Sequence, residues 1–305
     1  MKKDSFLTVC MNPGFQKTLS FPALIPDTVN RTGEYRLDVS GKGINVSRVL
    51  SQLGKEVCHL TQLGGFLRPF FLELCEKEGL RLEWVESGSS IRFCYTLLDR
   101  CEKSVTELVE ESERVGEGTE SRLLEAFSGL LDDFSTLIIS GTKAAGFTDN
   151  LIPEMVREGR GKNLRIILDI RGQDLLKSLP YEPDIIKPNL YEFISTFAPD
   201  MISQNKIISA NLKESVSDIC RELYKKFHCA LVLTRGGEPV WYAEKGELEE
   251  YSFDPVEPLN TTGSGDAFTA GFAAALEDGA SLREAVINGV RCGALNAALF
   301  KPGII

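Results

Sequence analysis

Gly263-Ser264-Gly265-Asp266 opens the helical part of the stretch Leu259 to Leu276, LNTTGSGDAFTAGFAAAL. Phe268, Gly271, Phe272 and Ala275 follow at i, i+3, i+4 and i+7, the spacing of one apolar helix face. The pattern predicts a glycine loop that turns into a helix. Glycines there let the backbone approach a ligand, and the open N–H groups of a helix start favour an anion. Asp266 cuts against that preference, because a carboxylate repels phosphate. It makes sense as a base that takes the proton from an attacking hydroxyl. Anion-binding amides beside a general base are the parts of a phosphoryl transferase, whose chemistry is mostly positioning and charge stabilisation. The competing reading is structural, with Asp266 as the helix N-cap.

Ser40-Gly41-Lys42-Gly43-Ile44-Asn45-Val46 is a second such stretch. It is not a Walker loop, because its lysine precedes the second glycine. Gly41 admits a ligand close to the backbone, Asn45 can donate to and accept from sugar hydroxyls, and Lys42 can reach a phosphate. The structural alternative is a capped helix start with a solvent-facing lysine. Lys187-Pro188-Asn189-Leu190-Tyr191-Glu192 is weaker alone, since Asn189 and Glu192 also fit a helix capping box. His59 and His228 are the only histidines, which argues against a histidine zinc site or a Ser-His-Asp triad. Both read as structural or surface residues.

The elements that must position these residues alternate. Strands are predicted at Phe6 to Asn12, Leu137 to Ser140, Arg165 to Ile170, Asp184 to Lys187 and Ala230 to Thr234. Helices are predicted after Gly43, over Pro69 to Lys77, Ser121 to Leu130 and Leu151 to Glu158, from Tyr191, around Val216 to Phe227, and in the tail from Leu282. Trp84 to Val85, Arg92 to Leu98 and Ser104 to Val109 also read as strands. Short apolar strands between helices indicate a parallel sheet covered on both faces, with ligands at the C-terminal strand ends. Ser140, Asp169, Asn189 and Thr234 fall at such ends. Blocks 12–40 and 89–112 break the alternation and are expected to form a small separate sheet.

Taken in order, these segments resemble the ribokinase-like (PfkB) carbohydrate kinases over nearly the whole chain. Asn260 to Asp266 resembles the family's D-T-x-G-A-G-D, with Asn for the first Asp and Ser264 for Ala. Gly41 to Arg48 resembles G-K-G-I-N-V-[AS]-R of its phosphosugar branch, and Lys187 to Glu192 resembles K-P-N-x-x-E. Thr28-Val29-Asn30-Arg31 is similar to the V-N-R of 1-phosphofructokinases and tagatose-6-phosphate kinases. The resemblance implies a ribokinase-like three-layer α/β sandwich with a mostly parallel central sheet and a small β lid, as a single domain over 1–305. It implies Asp266 as catalytic base and Gly263, Ser264 and Gly265 as the anion hole. Asn12, Gln16, Gly41, Lys42, Asn45, Arg92 and Ser140 would bind substrate, with Lys42 and Arg92 on its phosphate. Lys187, Asn189, Glu192, Thr234, Gly236 and Gly265 would bind the nucleotide, with Asn189 and Glu192 holding magnesium through water. The implied cofactors are ATP and Mg²⁺, the implied substrate a phosphorylated ketohexose, and the implied assembly a homodimer through the lid. The rival readings are a kinase for an unphosphorylated sugar or nucleoside, and a non-catalytic sugar-phosphate sensor. An NAD-dependent oxidoreductase is a distant third, because no G-x-G-x-x-G follows the first strand.

The departures bear on substrate. Gln16 stands where the branch usually has an Asp, and Thr142-Lys143-Ala144-Ala145 replaces S-L-P-P. Arg92 matches a phosphate-binding Arg, but among neighbours Ile91, Phe93 and Cys94. A carboxamide at position 16 gives up a charged contact, a loss of roughly 1 kcal/mol. From sequence, Gln16→Asp is therefore expected to improve use of a fructose or tagatose phosphate several-fold.

Composition agrees. A net charge of −10 over 305 residues and the absence of a long Lys/Arg run argue against a nucleic-acid partner. No apolar run reaches membrane-spanning length, and the N-terminus reads as a strand rather than a signal peptide, so a cytoplasmic protein is expected. Eight scattered cysteines without a C-x-x-C pair suit reduced thiols, with Cys10, Cys94 and Cys220 as small buried hydrophobes.

Overall fold

A computed structural model describes residues 5–204, 206–208 and 211–305. The first part runs β1 (Ser5–Val9), β2 (Gly14–Phe21), β3 (Tyr35–Ser40), α1 (Lys42–Gln52), β4 (Glu56–Leu63), α2 (Arg68–Lys77), β5 (Leu82–Glu86), β6 (Arg92–Asp99) and β7 (Ser104–Val109). Next come α3 (Thr119–Leu130), β8 (Thr136–Ser140), α4 (Leu151–Gly161), β9 (Arg165–Asp169), α5 (Gly172–Ser178), β10 (Ile185–Ile186) and α6 (Leu190–Phe197). A two-stranded piece, β11 (Ile202–Ser203) with β12 (Lys206–Ile207), precedes α7 (Leu212–Phe227). The chain closes with β13 (Ala230–Arg235), β14 (Glu238–Glu244), β15 (Glu247–Tyr251), α8 (Ser264–Glu277) and α9 (Leu282–Ala297).

Nine strands form the main sheet in the order β15-β14-β13-β10-β9-β8-β1-β4-β5. It is parallel from β13 to β5, and β14 and β15 add an antiparallel edge. The central strands are apolar on both faces because helices cover both. On one face Leu137, Ile139, Ile166 and Leu168 pack with Phe127, Leu151, Met155 and Phe193 of α3, α4 and α6. On the other, Phe6, Ile138, Ile167 and Val232 pack with Val46, Val49, Phe272 and Val286 of α1, α8 and α9. These are three layers, and the parallel strands all point their C-terminal ends to one side.

The second sheet has the order β3-β2-β6-β7, with β2 and β6 parallel and the outer pairs antiparallel. Gln16 pairs with Cys94, and Thr96 with Glu107, so one face of this sheet carries Gln16, Thr18, Cys94, Thr96 and Glu107. The opposite face anchors through Phe15, which stacks on Phe93 and Phe70 and meets Phe71 of α2 edge-on. It also leaves Tyr35 and Leu108 exposed.

The sequence does not anticipate β4, the β11–β12 pair, the β14–β15 hairpin or α5. The first strand ends at Val9, so Asn12 lies in the turn beyond it rather than on the strand.

Candidate active site

A cavity of about 540 Å³ lies between the C-terminal strand ends and the polar face of the second sheet. Asp266 is on its floor. The glycine loop turns at Gly263, whose φ of 82° is left-handed and where a Cβ would come within 2.7 Å of the Gly303 N–H nitrogen. Only glycine fits that turn. It is the N-cap of α8, and no side chain caps the helix. Asp266 thus sits in the first turn and is not the N-cap, which removes the structural reading of this residue. The Ser264 N–H is spent on the Thr261 carbonyl at 3.1 Å. Ser264 is therefore not the amide donor that the motif suggests, and the first-turn amides that follow it, beginning with Gly265, line the open end.

Asp266 is 6% exposed and accepts a hydrogen bond from Asn45 Nδ2 at 2.8 Å. Burial pushes its carboxyl up to about 7, with Asp169 adding to the effect and Lys42, Asn45 and Lys187 opposing it. A carboxylate near 7 is poised for general-base work at neutral pH. Asn45 is held in turn by Arg48, whose Nη1 donates to Asn45 Oδ1 at 2.9 Å. That contact fixes which end of the amide faces Asp266. Arg48 is itself buried and bonded to Glu78 and the Val39 carbonyl.

The centre of the main-sheet wall is Asp169, at the end of β9. Its carboxylate takes Lys42 Nζ at 3.1 Å, Lys187 Nζ at 3.2 Å and the Thr269 hydroxyl at 3.1 Å. Burial tends to raise its pKa, but Lys187 and Lys42 overcome that and hold it below the usual carboxylate range. Burial tends to lower the Lys42 ammonium, but Asp169, Glu192 and Asp266 outweigh it and keep it charged. Lys42 enters from the start of α1, where Gly41, with φ 134°, passes Cys10 and Pro13 at distances a side chain would crowd. Sequence reasoning places Asp169 at a strand end but gives it no role. The usable signal is a carboxylate at the C-terminal end of a central parallel strand.

Asn189 and Glu192 do form a capping box at the start of α6, each side chain bonding the other's backbone N–H. Glu192 Oε1 still faces Lys42 at 3.7 Å. Among the described residues no group of three or more His, Cys, Asp or Glu could hold a metal. A second cavity of about 350 Å³ adjoins the first, sharing Asn189, Thr234, Thr261 and Gly265 with it. It is lined by Gly236, Ser264, Val240, Phe253, Pro255 and Val290, an apolar slot with a glycine turn at one end.

On the lid wall, Gln16 and Arg92 line the first cavity. Arg92 donates to the Glu110 and Asn12 carbonyls at 3.1 and 3.4 Å, while its Nε is buried without a partner. Asn12 donates to Thr142 Oγ1, and its Oδ1 is likewise buried without a partner. Ser140 lies behind the wall: its hydroxyl is buried with no partner and does not reach the cavity. Cys94 is only partly buried and lines the cavity, unlike Cys10 and Cys220, which are buried as expected. All eight thiols are free. Asn30 closes its own loop on Ile25, so the V-N-R-like segment lies away from the cavity. His59 is buried, bonded through Nδ1 to Thr8 at 2.7 Å and pushed down to about 3 by burial, as a structural residue would be. Asn260 explains its own departure from the motif: its Nδ2 donates to the Phe300 carbonyl at 3.0 Å, which an Asp could not do. Glu107 and Thr262, which sequence reasoning misses, also line the cavity, and the buried Thr96 lies behind them with its hydroxyl 3.3 Å from that of Thr262.

Residues 11–302 match the pfkB family carbohydrate kinases. Among solved structures, a possible 1-phosphofructokinase from Thermotoga maritima superposes with a TM-score of 0.85 at 20% identity, over 97% of this chain and 93% of that one. Phosphofructokinase-2 from Escherichia coli in complex with fructose-6-phosphate gives 0.82 at 19% identity, over 96% and 94%. A ribokinase from Thermotoga maritima gives 0.73 at 17%, over 98% and 94%. At these identities the likeness establishes the fold, a ribokinase-like one.

Proposed function

Because the chain belongs to the pfkB family of carbohydrate kinases and is an ATP-dependent sugar kinase, we propose that its acceptor is a phosphorylated ketohexose of the fructose 1-phosphate, fructose 6-phosphate or tagatose 6-phosphate type. The observation that carries the substrate class is Arg92, a guanidinium lining the cavity whose hydrogen bonds go to the backbone carbonyls of Glu110 and Asn12 rather than to a carboxylate. A cavity cation with no carboxylate partner among the described residues fits an anionic group supplied by the ligand, bound through charge-assisted hydrogen bonds. Lys42 is a second cation on the same cavity, already partnered by Asp169.

Asp266 takes the proton of the acceptor hydroxyl, and the first-turn amides of α8 face the transferring phosphoryl group. Asn12, Gln16, Gly41 and Asn45 orient the sugar. The nucleotide base occupies the apolar second cavity, with Thr234 and Gly236 at its phosphate end and Lys187 holding Asp169 in place. Asn189 and Glu192 fit a hydrated magnesium ion held mainly through nucleotide phosphates, which needs few protein oxygens. Such an ion neutralises charge on the phosphates. The exposed face of the lid, with Tyr35 and Leu108, suits pairing with a second copy. Among the described residues no helix is long and apolar enough to cross a membrane, and a cytoplasmic site of action accords with a phosphorylated metabolite as substrate.

The test is coupled ADP release over a panel of neutral and phosphorylated sugars. Turnover confined to ketohexose phosphates is expected. A best substrate without a phosphate would overturn the assignment and favour the neutral-sugar reading.

A further inference from the structure

Four side chains join the lid to the loop that carries Asp266. Gln16 Nε2 of β2 donates to Thr96 Oγ1 of β6 at 2.8 Å. Thr96 Oγ1 lies 3.3 Å from Thr262 Oγ1, and Thr262 Oγ1 donates to Glu107 Oε1 of β7 at 2.9 Å. Thr262 immediately precedes Gly263, the turn that starts α8. The line therefore runs from one lid strand, across a second, into the catalytic loop and back to a third.

Counting protons fixes its direction. Three links need three donated hydrogens, and each threonine hydroxyl has one. The Glu107 carboxylate only accepts, so Thr262 spends its hydrogen there. Thr262 must then accept from Thr96, which spends the second. Thr96 must accept from position 16, so the group at 16 has to donate. An amide does this and a carboxylate cannot. The same count leaves Gln16 Oε1 as the acceptor offered to a ligand hydroxyl.

We propose that Gln16, Thr96, Thr262 and Glu107 form a one-way hydrogen-bond latch that positions the lid against the loop of Asp266. Gln16 and Glu107 are its matched ends and cannot be changed independently. The effect on catalysis rests on the sugar-kinase reading above; the latch itself does not. With Asp at position 16, both ends accept, two hydrogens must serve three links, and two carboxylates flank the threonines. Gln16 is therefore the donor end of the latch rather than a weakened sugar contact, and the expected sign of Gln16→Asp reverses from gain to loss.

The test uses three near-isosteric variants: Gln16→Glu, Glu107→Gln and the two combined. Glu107→Gln alone keeps every link, because the carboxamide oxygen still accepts from Thr262. In the combined variant the new carboxamide at 107 donates, and the whole line runs in reverse to the new carboxylate at 16. Amide hydrogen exchange of the ligand-free protein reads the latch over residues 92–99 and 259–266, and steady-state kinetics on the best sugar phosphate reads its consequence. Gln16→Glu is expected to speed exchange in both segments about tenfold and to raise KM by a similar factor, the scale of one or two lost hydrogen bonds. Its kcat should fall less than about threefold. Exchange in Glu107→Gln should stay within about twofold of the parent, and exchange in the combined variant within about threefold. A combined variant that exchanges as fast as Gln16→Glu, or a Gln16→Glu protein with unchanged exchange, overturns the latch. If no sugar in the panel is turned over, the kinase reading falls while the exchange arm still decides the latch.

Discussion

The two walls of the cavity are held by different forces. The main-sheet wall is charged and buried: Asp169, Lys187 and Asp266 are each less than a tenth exposed and lie within one electrostatic cluster with Lys42. The lid wall meets the loop through a line of amide and hydroxyl hydrogen bonds that ends on the exposed carboxylate of Glu107. Buried charges fix positions through large opposing energies, so removing one partner is costly. Single hydrogen bonds of this kind contribute about 0.5–1.5 kcal/mol each and can be made and broken in a working cycle. In the function proposed above, the chemistry falls on the rigid wall and the choice of sugar on the adjustable one.

The largest effects are expected on the rigid wall. Asp266→Asn removes the base but keeps the shape, and should lower kcat by about 10²–10⁴-fold while sugar and ATP affinities stay within about threefold. It should also stabilise the fold. Folded Asp266 keeps its proton up to about pH 7, whereas an unfolded Asp releases it near 3.9. Between those values the folded chain binds more protons, so this group's contribution to stability is lost as pH rises toward 7. The variant escapes that loss. Its melting advantage should be absent near pH 4 and reach roughly 2–4 kcal/mol by pH 8. Thermal melts at the two pH values check this, and an advantage independent of pH would mean that Asp266 is not held protonated by burial.

Asp169→Ala tests the same wall through stability. It leaves Lys187, which is 2% exposed, without its carboxylate. Denaturant unfolding should show a loss of about 3–5 kcal/mol, the scale for breaking a buried pair from one side. A loss under about 1 kcal/mol would place the wall's rigidity elsewhere.

On the lid wall the effects shrink and become selective. Arg92→Ala should raise KM for a phosphorylated substrate by the equivalent of about 1.5–3 kcal/mol and leave a neutral sugar unaffected. Equal losses on both kinds of sugar would assign Arg92 to holding Asn12 and Glu110 in place rather than to binding phosphate.

The same contrast governs what can be read from sequence. The helix starts and glycine loops of the rigid wall are local patterns, so Asp266, Lys42, Asn45 and Lys187 are legible from the order of residues alone. The parallel core is legible because Leu137 to Ser140 and Arg165 to Asp169 are nearly unbroken apolar runs. β4 is not, although it lies beside β1 in the same sheet. His59, Thr61 and Gln62 interrupt its apolar pattern, and each finds a partner inside the core: Thr61 the Cys10 carbonyl at 2.6 Å, His59 Nδ1 the Thr8 hydroxyl and Gln62 the Met11 carbonyl at 3.5 Å, although His59 Nε2 stays unpartnered. The β14–β15 hairpin hides behind its glutamates, two of which accept from Trp241 and Tyr242. The lid latch is invisible because its four residues lie far apart in the chain and acquire meaning only from hydrogen-bond direction. Gln16 stands out in the sequence as an oddity, but its reason sits at Glu107.

The smallest effect probes how the rigid wall tunes its base. Asn45 Nδ2 donates to Asp266 Oδ2, and a hydrogen bond to the charged form lowers a carboxyl pKa. Among the causes acting on Asp266, burial is the largest and upward, while Asn45 pulls downward with Lys42 and Lys187. Asn45→Ala should therefore move the acid limb of the kcat/KM profile up from about pH 7, by as much as one pH unit, the worth of a hydrogen bond of roughly 1 kcal/mol. In the proposed function Asn45 also contacts the sugar, and loss of that contact would lower kcat/KM equally at every pH. The two effects separate cleanly. At pH 9, where the base is ionised in both proteins, only the sugar contact is missing; at pH 6 the variant should fall behind by up to about tenfold more. A ratio of variant to parent that is flat from pH 6 to pH 9 would show that Asn45 serves the sugar alone. The charge state of Asp266 would then be set by burial and the lysines without it.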